Sequence, residues 1–420
     1  MLIRSWALAS LFVTFLSQFA GAADWPQWRG PQRDGTSAET GLLEEWPAEG
    51  PQLAWQINDV GDGYSTPAVS AGRLYVMTNQ GVDDELVRAY SIDDGAELWT
   101  TRIGKVGNPD QQPPYAASRS TPTVDGDRIY VLSSDGDIAS LSAVDGEIRW
   151  TKNVRNEFGG KPGTWAYAES PLVDGDLVVC SPGGPDATVV ALDKRSGSTV
   201  WKCPVPEADD AAYASAIIVN AAGRKQYVQF LSKGVVGVDA KSGKFLWRYN
   251  GTGGGPANSP TPVAQANYVY SAAGRTGGGL VELTSAGDGV SAEQIYMERG
   301  LPHSMGGSVL VGDDQYGTTA DALVCADFKT GDLKWQDECI GSASVCAADG
   351  RLYLHGFNND VALVEATPDG YHEKGRFSLP DPPEHTRGRM QGAWCYPVVA
   401  NGRLVIRDIG TIWCYDVGRE

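Results

Sequence analysis

Short apolar runs separated by turn residues recur along nearly the whole chain. The first complete unit opens with the sequence GYSTP at 63–67, and its apolar runs fall at 67–69, 73–77, 86–91 and 97–101. The breaks between these runs contain Ala71-Gly72 and Asp94-Gly95. Such dipeptides supply the positive φ angles that tight hairpins need. The pattern therefore predicts an antiparallel unit of four short strands.

A tryptophan closes most of these units. The closing residues are Trp55, Trp99, Trp150, Trp201, Trp247 and Trp335, and the first four gaps between them are 44, 51, 51 and 46 residues. A period in this range with several strands per unit is typical of a β-propeller rather than a helical solenoid. Tyr296 and Phe377 are expected to replace the tryptophan in the fifth and seventh units.

The two ends of the chain predict how the ring closes. Seven units fall near 63–104, 118–154, 166–205, 212–250, 257–300, 303–341 and 342–379. Residues 393–417 offer three further strands, and residues 52–57 offer one. Joined in one blade, these strands would leave no open sheet edge in the ring. We predict an all-β fold, a single eight-bladed propeller of four-stranded antiparallel blades over 52–420, with seven blades as the alternative.

The residues before the propeller are predicted to have two roles. Residues 1–22 resemble a secretory signal peptide, with Arg4, an apolar stretch at 8–16 and a small-residue site that predicts cleavage after Ala22. That stretch is shorter than the ~20 residues of a spanning helix, so no membrane span is expected. The mature protein is expected to be bacterial and periplasmic or secreted. Residues 23–51 form an N-terminal extension, and Trp25 and Trp28 are expected to pack on the propeller's outside.

Charge and cysteine content exclude some classes of partner. The formal net charge is −18, without a cluster of Lys and Arg, which disfavours nucleic acid. The seven cysteines show no ligand spacing suited to zinc. Cys395 and Cys414 fall in one predicted blade, where a disulfide and two buried thiols are alternatives. We expect a monomer.

The start of the innermost strand of each blade faces the propeller axis. These positions mix aromatic, charged and amide groups, namely Tyr64, Arg119, Glu169, Tyr213, Asn258, His303, Ser342 and Trp394. The ring predicts a small-molecule or ion site, with a water-filled channel as the alternative. Long loops at 104–118, 153–166 and 378–392 are predicted to crowd one mouth of this channel.

The repeat resembles that of pyrroloquinoline quinone (PQQ) propellers. The resemblance is carried by sequences such as STPTVDGDRIYVLSSDGDIASLSAVDGEIRW at 120–150 and AESPLVDGDLVVCSPGGPDATVVALDKRSGSTVW at 168–201. Three groups share this repeat: quinoprotein alcohol dehydrogenases, the propeller subunit of the outer-membrane assembly machinery, and exported proteins without an assigned activity. The resemblance covers nearly all of the expected mature chain.

For the dehydrogenases, the resemblance implies an axial PQQ bound to calcium. Glu169 and Asn258 resemble the calcium ligands, and Arg119 resembles the arginine that contacts the quinone. Trp165 or Tyr213 would take the place of the stacking tryptophan. The sequence departs from this group because it has no adjacent cysteine pair, and because His303 stands where a catalytic aspartate is expected. A histidine could still take the proton, since its pKa is ordinarily near neutral.

An intact repeat with an incomplete catalytic set favours a non-catalytic binding or scaffold protein. Its ligand, a protein or a small molecule, would bind at the channel mouth, and no cofactor would be required. The first alternative is a PQQ- and calcium-dependent oxidoreductase that acts on an alcohol or sugar. The second alternative is an outer-membrane protein assembly factor.

Overall fold

Eight four-stranded antiparallel sheets surround a common axis. They were identified in a computed structural model, which describes residues 23–108, 117–255, 257–383 and 395–419. The sheets follow one another along the chain as blades 1 to 8, and the innermost strands are in contact between blades 1 and 2, 2 and 3, 5 and 6, 6 and 7, and 7 and 8. The prediction of eight blades is confirmed. The expected signal peptide at 1–22 lies outside the described residues.

The strands of each blade run from the innermost, strand a, to the outermost, strand d. In blade 1 they are Ala68–Ser70, Arg73–Gln80, Asp84–Ser91 and Glu97–Gly104; in blade 2, Thr123–Asp125, Arg128–Leu132, Asp137–Ser142 and Ile148–Asn153; in blade 3, Leu172–Asp174, Leu177–Cys180, Val189–Asp193 and Thr199–Cys203; in blade 4, Ile217–Ala221, Arg224–Phe230, Val235–Asp239 and Phe245–Tyr249. A short helix, Val154–Phe158, follows blade 2.

The second half of the ring repeats this order. Blade 5 contains Val263–Gln265, Tyr268–Ala273, Gly277–Ala286 and Gly289–Glu298; blade 6, Ser308–Val311, Asp314–Thr318, Leu323–Asp327 and Leu333–Asp337; blade 7, Ala343–Ala348, Arg351–Gly356, Asp360–Glu365 and Glu373–Ser378; blade 8, Val398–Ala400, Arg403–Asp408, Thr411–Asp416 and, as strand d, Gln52–Ile57. Among the described residues, no helix has the length and apolar content needed to span a membrane.

Both ends of the chain contribute to blade 8. Gln52–Ile57 pairs antiparallel with Thr411–Asp416, with Gln52 opposite Asp416 and Ile57 opposite Ile412. The predicted closure is therefore confirmed. Because the first and last strands share backbone hydrogen bonds, opening the ring requires breaking a β-ladder.

The closing aromatic residues hold neighbouring blades together. The Trp150 ring of blade 2 lies over Gly197 in the last turn of blade 3, where an added Cβ would stand 2.8 Å from Trp150 Cε3. Trp150 Nε1 donates to the carbonyl of Lys194 at 3.0 Å. Tyr296 covers Gly331 in the same way, and its hydroxyl donates to the carbonyl of Phe328 at 2.8 Å. The repeated pair of aromatic ring and turn glycine is thus the contact between blades.

The junction between blades 4 and 5 departs from this scheme. The outer hairpin of blade 5 has two ten-residue strands, and its Leu283 and Val290 pack with Leu246 and Trp247 of blade 4. Trp247 Nε1 donates within its own blade, to Gln226 Oε1 at 2.6 Å. The long hairpin therefore covers the outer strand of blade 4.

The N-terminal extension enters the ring instead of packing outside it. Residues 24–39, here called the inner segment, bond to the innermost part of seven blades through Val69, Val124, Ser170, Thr261, Ser308, the pair Ala347–Ala348, and Val399. Thr36–Ser37 pairs parallel with strand a of blade 7. Trp25 is 1% exposed. The expectation that Trp25 and Trp28 pack on the outside was wrong, because Trp25 pairs with strand a of blade 1 and Trp28 bonds to Thr261, just before strand a of blade 5.

The cysteines are unpaired thiols. All seven are free, and six of them are buried. Cys395 and Cys414 lie in blade 8 without a bond between them, so the alternative of buried thiols holds. Burial raises the pKa of both to about 12, which keeps them protonated at neutral pH.

Candidate functional site at the channel mouth

A cavity of about 240 Å³ lies on the axis where the innermost strands begin. We call it the aromatic cavity because it is lined by Trp28, Tyr64, Arg119, Trp165, Ala168, Tyr213, Ala257, Ser259, Met305, Gly306, Ser344, Phe357 and Tyr396. Three predicted site residues, Arg119, Trp165 and Tyr213, are brought together here. They come from the segments that lead into blades 2, 3 and 4, which the ring places side by side.

The inner segment forms the floor of the aromatic cavity. Trp28 Nε1 donates to Thr261 Oγ1 at 2.8 Å, and the Trp28 ring meets the Tyr396 ring edge-on at a centroid distance of 4.8 Å. The Tyr396 hydroxyl in turn donates to the carbonyl of Met305 at 2.8 Å. Both rings are fixed through their polar atoms, so a ligand would meet a rigid apolar floor.

Arg119 is the single charged residue among those that line the cavity. Its Nη1 donates to the carbonyls of Ala117 and Trp165 at 2.9 and 3.1 Å. The guanidinium carbon lies 5.5 Å from the centroid of the Tyr64 ring, within the range of a cation–π contact. The cavity thus combines aromatic walls with one positive charge held in place by backbone carbonyls.

Tyr213 separates the aromatic cavity from a second, larger one. The Tyr213 hydroxyl accepts from the Trp165 backbone N–H at 3.1 Å, and the two rings lie 5.6 Å apart. Burial raises the pKa of Tyr213, so the phenol stays protonated. The second cavity, here called the polar cleft, has a volume of about 670 Å³ and is lined by Asn108, Arg155, 160–164, 210–213, Ser232, Gly255 and Asn258.

Glu169 is buried between blades 3 and 4. One carboxylate oxygen accepts from the Ser181 backbone N–H, and the other accepts from Gln229 Nε2 at 3.0 Å. Burial raises the pKa of Glu169 to about 7, against the opposing effect of the nearby Arg33 guanidinium. Glu169 is among the lining residues of neither cavity.

Asn258 lies at the edge of the polar cleft. Its Nδ2 donates to the carbonyls of Leu231 and Ser232 at 2.7 and 3.1 Å, and its Oδ1 is buried without a partner among the described residues. The backbone carbonyl of Asn258 accepts from Ala214, whose own carbonyl accepts from Gln229. Glu169 and Asn258 are thus linked indirectly, through Gln229 and Ala214.

This arrangement does not fit a calcium cradle. Calcium takes six to eight oxygen ligands. Both oxygens of Glu169 already accept protein hydrogen bonds, and the described residues contain no group of three or more His, Cys, Asp or Glu side chains placed to hold a metal. We therefore derive no step through calcium or a calcium-bound quinone.

His303 is not brought into the aromatic cavity. The ring is partly buried, its Nδ1 lies 2.9 Å from the carbonyl of Leu301, and its backbone N–H donates to Thr318. His303 does not appear among the residues that line either cavity. Trp394 and most of the predicted mouth loop, residues 384–392, lie outside the described residues.

The sequence did not point to three aromatic residues of the cavity wall. Trp28 belongs to a Pro- and Gly-rich stretch without strand periodicity, and Phe357 follows strand b of blade 7. Tyr396 lies two positions beyond the predicted axial residue Trp394. The alignment of repeat units could have found Phe357 and Tyr396, whereas Trp28 has no equivalent in any repeat.

The fold and the channel together define a PQQ-like β-propeller. Comparison with known families gives a more specific family assignment. The model of the family described as outer membrane protein assembly factor BamB matches residues 83–337, from blade 1 to blade 6. The chain therefore belongs to this family.

Individual relatives are distant. BamB of Shewanella oneidensis is 27% identical over 214 residues, which are 50% of this chain and 48% of the relative. BamB of Burkholderia pseudomallei is 24% identical over 327 residues, which are 67% of this chain and 80% of the relative. The chain thus spans about half the length of the first of these relatives.

Solved structures share the fold at low identity. BamB from Moraxella catarrhalis superimposes with a TM-score of 0.60 at 16% identity, covering 88% of this chain and 98% of that one. Quinohemoprotein alcohol dehydrogenase from Comamonas testosteroni gives a TM-score of 0.53 at 13% identity, covering 94% of this chain and 81% of that one. At such identities these likenesses concern the fold alone.

Proposed function

We propose that this protein is a non-catalytic binding propeller that acts as an outer-membrane protein assembly factor and holds a protein partner at its channel mouth. The observation that carries this proposal is the family match across blades 1 to 6. The mouth supports it, because a rigid aromatic cavity of this kind suits an anchoring side chain at an interface. Glu169, a candidate ligand for the quinoprotein alternative, is instead used in contacts between blades.

The proposal places the protein outside the cytoplasm. Residues 1–22 would be removed after Ala22, and the mature chain would work in the periplasm as a monomer beside its partner. Assembly of outer-membrane proteins takes place there, so export and function are consistent.

Site-specific crosslinking in the native cell envelope tests this function. A photoreactive residue at Lys161, which is exposed in the polar cleft, should capture a component of the outer-membrane assembly machinery. The matched control is Asp127, exposed in the turn between strands a and b of blade 2, at the opposite end of the axial strands. Failure of Lys161 to capture any assembly component would overturn the proposal.

The quinoprotein alternative makes an opposite prediction for ligand binding. Since both oxygens of Glu169 already accept protein hydrogen bonds, equilibrium dialysis should show no difference in PQQ retention with calcium and with chelator. Glu169→Gln should leave retention unchanged. Calcium-dependent retention that this substitution abolishes would favour the oxidoreductase instead.

A further inference from the structure

We propose that the aromatic cavity and the polar cleft form one continuous site for an extended acidic peptide segment of a partner, which inserts a single aromatic side chain beside Arg119. This inference rests on the proposed function and specifies the chemistry of its partner. Tyr213 lines both cavities, and Ala257 and Ser259 of the aromatic cavity flank Asn258 of the polar cleft, so the two cavities adjoin and an extended ligand that passes Tyr213 can occupy both.

The size and lining of the cavity select an aromatic group. An apolar cavity of about 150 Å³ already suffices for benzene, and the aromatic cavity measures about 240 Å³. The edges and faces of Trp28, Trp165 and Tyr213 allow the offset and edge-on contacts that aromatic pairs prefer. The guanidinium of Arg119, which lies over one ring already, adds a cation–π contact to an incoming ring.

The charges at the mouth select an acidic segment. Arg119 is the charged group of the aromatic cavity, and Arg155, Lys161 and Asp210 are the charged groups of the polar cleft. These lining residues together carry three positive charges and one negative charge, in a chain whose net charge is −18. Arg155 already pairs with Asp135 at 3.0 Å, so Arg119 and the exposed Lys161 provide the attraction for carboxylates, which the exposed Asp210 partly opposes.

The shape of the cleft favours a polypeptide over a compact small molecule. Gly160, Gly163 and Gly255 line it, and an added Cβ at Gly255 would meet nothing nearer than 3.8 Å, so this side of the cleft has room for an extended backbone. Gly163 has a further reason to be glycine, because a Cβ there would stand 2.4 Å from the Tyr213 hydroxyl. The inner segment forms the floor of the aromatic cavity through Trp28, so the partner's peptide must enter from the mouth.

The test uses the full mature chain and a blocked peptide, acetyl-Gly-Glu-Phe-Glu-Gly-amide, observed by saturation-transfer NMR. We expect the strongest transfer at the Phe ring. The same peptide with Leu for Phe, or with Lys for both Glu residues, should bind at least about fivefold more weakly. Raising the salt concentration should weaken binding of the acidic peptide, because exposed charges are screened.

Cavity-filling variants provide the structural control. Ala168→Leu adds a side chain to the aromatic cavity and should weaken the peptide about tenfold, whereas Ala54→Leu on the exposed outer strand of blade 8 should not change it. Ala257→Leu is a second filling variant if the first does not fold, as judged by circular dichroism. Equal binding by the filled and control variants would overturn the inference, as would retention of free PQQ without any peptide binding.

The two proposals fail separately. If the crosslink from Lys161 to an assembly component persists in Ala168→Leu and no peptide binds, the peptide site is wrong and the function stands. If no assembly component is captured while the acidic aromatic peptide binds, the proposed function is wrong and the site stands.

Discussion

At the scale of single residues, two buried carboxyl groups join neighbouring blades. Glu85 of blade 1 accepts from Ser134 of blade 2, with Oγ at 2.6 Å and the backbone N–H at 3.0 Å. Glu169 of blade 3 accepts from Gln229 of blade 4. Burial raises the pKa of each to about 7. The protein thus holds two acids that are easier to protonate in the folded state than in the unfolded chain.

These raised pKa values predict that stability falls as the pH rises. In the unfolded chain each carboxyl titrates near 4.5, and in the fold near 7. Their contribution to the free energy of unfolding is therefore fully present below about pH 4.5 and is lost as the pH rises through 7. Urea denaturation at pH 5 and pH 8 should show a smaller difference for Glu85→Gln than for the unmodified protein. An unchanged difference would contradict this assignment.

The candidate site shows which residue positions a sequence can predict. The repeat placed Arg119 and Tyr213 at the start of axial strands, and both line the aromatic cavity. Glu169 has the equivalent position in its blade, yet its side chain turns toward Ser181 and Gln229 between the blades. The orientation of the Glu169 side chain depends on Gln229, a hydrogen-bond donor from the next blade that is 60 residues away. Strand periodicity does not reveal such a partner.

At the scale of elements, the contact between aromatic ring and turn glycine sets the spacing of the blades. Gly197 combines a φ of 71° with a ring at contact distance, so two independent reasons require glycine. Gly175, in the turn between strands a and b of the same blade, has a φ of 59° but nothing within 4 Å of an added Cβ. Comparing the two positions therefore distinguishes the effect of backbone strain from the effect of packing between blades.

Substitution at these glycines should therefore have unequal effects. Gly175→Ala should cost about 1 kcal/mol, the usual order for a strained left-handed residue. Gly197→Ala should cost about 2–3 kcal/mol, because the methyl group also displaces the Trp150 ring. Urea denaturation measures both free energies of unfolding. Equal losses would show that the ring does not depend on close approach at Gly197.

The predictable and unpredictable elements differ in the range of their contacts. Blade strands were predictable because Asp-Gly turns and alternating apolar residues are local signals, and closure by 52–57 followed from counting strands. The inner segment was not predictable. Its bonds, such as Trp28 to Thr261 and Ser37 to Val399, join residues 233 and 362 positions apart, and no repeat unit offers a template for it.

At the scale of the whole molecule, the ring is closed in two ways. The ladder of blade 8 joins the chain ends at the circumference, while the inner segment joins seven blades at the axis. Arg33 illustrates the second kind of closure, since its Nη atoms donate to the carbonyls of Ser170 and Pro171 at 2.8 and 3.0 Å. Burial lowers the pKa of Arg33 to about 9, and the group remains charged at neutral pH beside Glu169.

Because of this double closure, the inner segment contributes both to the stability of the ring and to the floor of the aromatic cavity at the channel mouth. Arg33→Met should lower the free energy of unfolding by about 2–4 kcal/mol, because two buried carbonyls lose a charged donor. It should also raise the pKa of Glu169, since a neighbouring positive charge is removed. The loss of stability should therefore be larger at pH 8, where Glu169 must ionise, than at pH 5. Gln32→Met, a substitution of similar size at an exposed position beside Arg33 in the same segment, is the control and should change stability little at either pH. If Arg33→Met proved equally harmful at both pH values, the charge of Arg33 would not influence Glu169, and the segment would act through its hydrogen bonds and packing alone.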